Sequence, residues 1–166
     1  MFELAGQVER YIKDVVAACE YVKGRTHSDK TMHISADEYH AIDVNTEDDL
    51  LQRPLAEKRA CDIGPSVHPR GTSMRSTLLF GLSMLVLLRH SDRIKIACQS
   101  ILINGDGLVM CEKDEEAWVN GSYYIFRHCS LYGRGKVLDA VLDASGYDTS
   151  TCKNVSALDS VCIYHE

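Results

Sequence analysis

Apolar positions change period along the chain, and each change marks an element. Between residues 4 and 23, Leu4, Val8, Tyr11, Ile12, Val15, Cys19 and Val22 recur at three- and four-residue steps, the spacing that gives a helix one apolar face. Glu9 and Lys13 stand four apart in the favourable order on that helix. Gly24 occupies the position expected of a C-terminal cap. From residue 31 to 39 the period falls to two. Met32, Ile34 and Ala36 alternate with Thr31, His33 and Ser35, as in a half-buried strand. Asp37 and Glu38 close that strand. Consecutive strand residues point to opposite faces, so strict alternation predicts that the two carboxylates part, one facing chemistry and the other supporting it.

Residues 40–72 carry little periodicity and hold all three prolines, Pro54, Pro65 and Pro69. A loop this long after a strand ending in carboxylates is a candidate active-site loop. Residues 73–89 are apolar nearly all round, the mark of a well-buried helix. Residues 94–103 read as a second strand. Residues 104–107, Asn-Gly-Asp-Gly, signal a tight turn. Residues 108–111 and 117–119 then predict a hairpin, 122–132 a third helix stopped by Gly133 and Gly135, and 137–166 an all-β tail. Helix, strand, helix, strand is the repeat of an α/β fold. Two parallel strands cannot bury both faces, so the pattern predicts a piece of a longer protein. At the C-terminal ends of barrel strands a carboxylate is a candidate for chemistry.

Composition narrows the function classes. The 166 residues are 45% hydrophobic and 25% charged, as in a globular domain with a core. The net charge of −6, without a basic block, points away from nucleic acid or an anionic membrane as partner. The apolar run 77–88 is too short to span a bilayer. Seven cysteines form no zinc or disulfide spacing, which predicts reduced thiols and a cytoplasmic protein. The Asn-Gly-Asp-Gly run lacks the first ligand and the distal bidentate Glu of a calcium loop, so no metal and no cofactor is expected.

Several segments together carry a resemblance. Asp37-Glu-Tyr39 after its apolar strand, residues 88–98 (LRHSDRIKIAC), Leu102-Ile-Asn104, Met110-Cys-Glu-Lys113, Ala117-Trp118 and Leu131-Tyr-Gly-Arg-Gly135 stand in an order and spacing similar to the C-terminal part of glycoside hydrolase family 51 α-L-arabinofuranosidases. Ala18-Cys-Glu-Tyr-Val-Lys23, Tyr147-Asp-Thr149 and Leu158-Asp-Ser-Val161 extend it. The resemblance implies an α/β fold in which residues 1–104 form the last strands and helices of a (β/α)8 barrel. Residues 105–166 would begin a β-sandwich, with the helix near 122–132 packing back on the barrel. It implies a retaining glycosidase acting on arabinose-containing oligosaccharides or polysaccharides, and a possible homo-oligomer. Glu38 falls on the family's nucleophile, with Asp37 its supporting carboxylate and Tyr39, His40 and Gln99 as substrate contacts.

Retaining glycosidases need two carboxylates, one attacking and ionised, one protonating the leaving oxygen. The family's acid/base Glu lies in an Asn-Glu pair on an earlier strand, and no Asn-Glu pair occurs here. The chain alone is therefore expected to be inactive, with that Glu upstream of Met1. Other departures are Tyr39 for the family's Trp, Ile42 and Asp43 for its second aromatic pair, and Ile101 for a Gln on its eighth strand, with Gln99 two residues earlier as the expected substitute. The alternative reading is a non-catalytic carbohydrate-binding or interaction module made from a hydrolase segment. Of the remaining residues, His33 is expected to be structural, Trp118 to be core, and Arg134 to be a helix C-terminal charge.

Overall fold

The computed structural model describes residues 2–41, 73–105, 107–111 and 114–165. The loop expected at 40–72, Ile42 and Asp43 included, lies largely outside them. The elements are α1 (Phe2–Thr26), β1 (Ile34–Tyr39), α2 (Met74–Arg89), β2 (Ile94–Gln99), β3 (Val109–Met110), β4 (Trp118–Val119), α3 (Gly121–Tyr132), β5 (Lys136–Leu138), β6 (Gly146–Tyr147), β7 (Val155–Ser156) and β8 (Cys162–Tyr164).

Each helix ends for a local reason. α1 runs past Gly24 to Thr26, so the expected cap is corrected. His27 takes the left-handed conformation at φ 50°. The Ser28 N–H then donates to Lys23 O and the His27 N–H to Gly24 O, which is the paired bonding of a Schellman end. α2 starts at Ser73, whose hydroxyl accepts from the Ser76 N–H at 3.1 Å. α3 starts at Asn120, whose side chain accepts from the Tyr123 N–H at 3.2 Å. Both are favoured N-cap residues because a short side-chain oxygen reaches an orphan helix donor. Arg134 Nε donates to Ser130 O in the last turn of α3, as expected of a helix C-terminal charge.

The core gathers Ala5 and Ile12 of α1, Leu82 and Val86 of α2, and Ile94 of β2, with Ile34 of β1 packed against it. Val86 is 1% exposed, and burying such a side chain contributes about 1.5–3 kcal/mol. α2 packs between α1 and α3. At the α2–α3 contact a Cβ on Gly121 would lie 2.7 Å from Thr77 Oγ1, so the absence of a side chain sets the approach.

β1 and β2 pair in parallel through the α2 crossover. Both strands are shorter than their apolar patterns. β1 begins only where β2 offers a partner, with the Ile34 N–H donating to Arg93 O at 2.8 Å. β2 stops at Gln99, and Ile101 turns away at φ 52°. The tail is antiparallel as its pattern predicts: β3 pairs with β4, β5 with β8, and β6 with β7. Trp118 on β4 is 45% exposed, which corrects the expectation that it fills the core.

An ion-pair cluster joins the helices to the tail below the N-terminal ends of β1 and β2. Arg89 at the end of α2 pairs with both carboxylate oxygens of Asp159, between β7 and β8, and donates to Ser160 O at 3.0 Å. It also pairs with Glu9 of α1 at 3.3 Å. The Lys13 hydrogen bond, and behind it the charges of Lys13, Arg89 and His90, hold the Glu9 carboxyl below its ordinary value against the opposing effect of burial. Arg93, just before β2, pairs with Glu20 of α1 at 2.8 Å and donates to Met32 O at 3.0 Å.

Candidate active site at the C-terminal end of the parallel pair

Strict alternation would separate Asp37 from Glu38, and the strand does not alternate strictly. Ala36 pairs with Ala97 and Tyr39 with Gln99, so three steps on β1 oppose two on β2. That is a β-bulge at Asp37–Glu38. A bulge adds one unpaired residue and re-aims the side chains around it, and bulges concentrate beside active sites. Burial follows the phase change. Ile34, Ala36 and Tyr39 are half-buried, while Ser35, Asp37 and Glu38 are exposed. Asp37 and Glu38 are both exposed, and Tyr39 packs toward α2.

Each carboxylate has a hydroxyl partner. Ser35 Oγ donates to Asp37 Oδ1 from two residues back. Ser100 Oγ, just past β2, donates to Glu38 Oε1 at 2.7 Å. Ser100 is itself 7% exposed, and its N–H donates to Tyr39 O at 3.0 Å. The Glu38 carboxylate is thus anchored across the two strands, although the residue as a whole is exposed.

The other predicted contacts fall differently. Tyr39 turns onto α2. Its ring stacks on Phe80 at 5.9 Å and its hydroxyl donates to Met84 Sδ at 3.2 Å. Burial, with smaller contributions from Cys129 and Cys98, pushes its phenol up to about 12. It lines a cavity of about 510 Å³ with Met84, Ile94, Ile96, Phe126 and Cys129, and Glu38 is not among that cavity's lining residues. Gln99 is half-buried and opposes Tyr39 in the ladder. His40 is exposed at the strand end, and His33 is exposed before the strand begins. Sequence reasoning missed Ser100. Its only signal was its place one residue beyond Gln99, and the contact depends on a pairing register that no local pattern reveals.

Among the described residues no three His, Cys, Asp or Glu side chains gather as metal ligands. Cys19, Cys98, Cys111, Cys129, Cys152 and Cys162 are unbridged, and Cys61 lies outside the described residues. No described helix is long and apolar enough to cross a membrane.

The family described as "Alpha-L-arabinofuranosidase C-terminal domain" matches residues 37–159, from the carboxylate pair to the Asp159 that holds Arg89. The chain belongs to this family. It is 35% identical over 165 residues to the intracellular exo-alpha-(1->5)-L-arabinofuranosidase 1 of Bacillus subtilis (strain 168), covering 96% of this chain and 31% of that protein. It is 33% identical over 160 residues to the intracellular exo-alpha-(1->5)-L-arabinofuranosidase of Acetivibrio thermocellus, with the same coverage of 96% and 31%. An exo-alpha-(1->6)-L-arabinofuranosidase of Bifidobacterium longum is 26% identical, covering 96% of the chain and 30% of that protein. The fold matches the solved structure of a family 51 alpha-L-arabinofuranosidase from Bifidobacterium longum with a TM-score of 0.82 at 20% identity, over 99% of this chain and 33% of that one. This arabinofuranosidase-family chain therefore spans about a third of the length of the relatives it matches. The ion-pair cluster joins three of the segments that carried the resemblance: Glu20 in the first helix, Arg89 and Arg93 around the second, and Asp159 in the tail.

Proposed function

We propose that the chain is the nucleophile-bearing portion of a retaining, exo-acting α-L-arabinofuranosidase. The observation that carries this reading is Glu38, at the C-terminal end of a parallel strand with its carboxylate anchored to the neighbouring strand. Residues 1–104 are read as the end of a (β/α)8 barrel and 105–166 as the start of a β-sandwich. The similarity to intracellular arabinofuranosidases supports an arabinose-containing oligosaccharide or polysaccharide substrate and a cytoplasmic location.

In this reading Glu38 attacks the anomeric carbon of a terminal arabinofuranosyl unit. The glycosidic bond breaks, and its oxygen leaves with a proton from a second carboxylic acid. That leaves an arabinosyl ester on Glu38. The second group, now a carboxylate, takes a proton from water as the water oxygen attacks the same carbon and frees Glu38. The two roles need separate carboxylates. Asp37 cannot take the second role while it shares the bulge with Glu38, because the acid must address the leaving group from across the sugar. The acid/base is assigned to the portion of the relatives that this chain does not cover.

The test uses the chain alone and the chain joined to the uncovered portion of the Bacillus subtilis enzyme. The chain alone is expected to release no 4-nitrophenol from 4-nitrophenyl α-L-arabinofuranoside. The joined protein is expected to release it, and Glu38→Gln to abolish that release. Hydrolysis by the joined protein that survives Glu38→Gln would contradict the reading.

A further inference from the structure

Resting on the assignment of Glu38 as nucleophile, we propose that Ser100 is the residue that positions it. Past β2 the backbone turns, with Ile101 at φ 52°. Gln99, the substitute expected from sequence, sits in the ladder opposite Tyr39. Ser100 is the residue that reaches the carboxylate, at 2.7 Å.

Three features make its hydroxyl a positioning device. Ser100 is 7% exposed, so little water competes for the bond. Its backbone is fixed by the N–H bond to Tyr39 O at 3.0 Å, which locks the end of β2 to the residue directly after Glu38. The donor belongs to a different strand from the acceptor. It therefore holds the carboxylate of a bulged, otherwise exposed residue in one orientation relative to the sheet. With Oε1 held, Oε2 is the oxygen presented to the anomeric carbon. A bulge by itself would leave the glutamate free to rotate about its side-chain bonds. The cross-strand hydroxyl removes that freedom before substrate arrives, and pre-paid orientation of this kind is a large part of catalysis by proximity.

The contact is tested first in the full chain, without any need for activity. Carboxylates are coupled to an amine with a carbodiimide, and labelling at Glu38 is read by peptide mass spectrometry against Glu115 and Glu116 as internal standards. Ser100→Ala is expected to raise labelling at Glu38 several-fold, and Ser100→Thr, which keeps the hydroxyl, to leave it near the parent value. In the joined enzyme Ser100→Ala is expected to lower kcat by about tenfold to a hundredfold with little change in KM, and Ser100→Thr to restore most of it. Equal labelling in all three chains overturns the proposal even where Glu38→Gln abolishes hydrolysis. A labelling difference without a kcat effect also overturns it, because the hydroxyl would then touch Glu38 without serving it. Hydrolysis that survives Glu38→Gln overturns the nucleophile assignment itself, a failure the labelling arm keeps distinct.

Discussion

The two ends of the β1–β2 pair use charge in opposite ways. At the N-terminal end, charges are matched. Arg89 answers Asp159 and Glu9, Arg93 answers Glu20, and the Arg89 and Asp159 side chains are 26% and 21% exposed. At the C-terminal end, Asp37 and Glu38 sit side by side in a bulge, exposed, Asp37 accepting from Ser35 Oγ and Glu38 from Ser100 Oγ. Matched charge ties α1, α2 and the tail into one body. Adjacent like charges repel each other and are poor stabilisers. In barrel folds the C-terminal face serves catalysis and the N-terminal face stability, and the proposed function assigns the same division to this pair of strands.

The largest effect that would sharpen this contrast lies at the N-terminal end. Arg89→Ala strands Asp159 and Glu9 in a partly buried site. It should cost about 2–3 kcal/mol, below the range for fully buried pairs because of residual solvent. Urea denaturation of the chain measures it, and a loss under about 0.5 kcal/mol would mean the cluster is ornamental. Next is Gly121→Ala. Its new Cβ would meet Thr77 Oγ1 at 2.7 Å, and overpacking of this kind costs about 1–3 kcal/mol. Thermal unfolding reads it, and pairing it with Thr77→Ala should recover part of the loss.

A smaller effect depends on pH. The Tyr39 phenol rises from 10.0 to about 12 in the folded chain. The folded state then holds a proton that the unfolded state has released, so stability falls as pH rises through that window. Tyr39→Phe should flatten this part of the stability–pH curve. At neutral pH the same change should cost only about 1 kcal/mol, through loss of the bond to Met84 Sδ. The smallest effect belongs to the site itself. Glu38→Gln should change the stability of the chain by no more than about 0.5 kcal/mol. A large destabilisation would place Glu38 among the structural charges and erase the contrast.

How much of this was legible beforehand depended on the range of the interaction. α1 was readable from three- and four-residue spacing, α2 from its continuous apolar run and α3 from the glycines that stop it, because a helix completes its hydrogen bonds locally. β1 and β2 were readable as strands, but their ends were not. Residues 31–33 and 100–103 continue the apolar pattern where no partner strand continues the ladder. The bulge was invisible for the same reason. Ser35, Asp37, Glu38 and Tyr39 look like an ordinary alternating run until Ala36 and Tyr39 are matched to Ala97 and Gln99. Past that shift Tyr39 stacks on the Phe80 ring. The same pairing places the Ser100 hydroxyl at the Glu38 carboxylate. Trp118 misled because aromatic residues are usually core, whereas its two-residue strand leaves it 45% exposed.

The central claim is that Glu38 forms the covalent bond to sugar, and it can be tested at that bond. The joined enzyme is turned over with a slow arabinofuranoside, quenched in acid and digested, and the peptide carrying Glu38 is weighed. The account predicts one arabinosyl group on Glu38 and none on Asp37. A sugar found on Asp37, or on no residue of this chain while turnover proceeds, would contradict it.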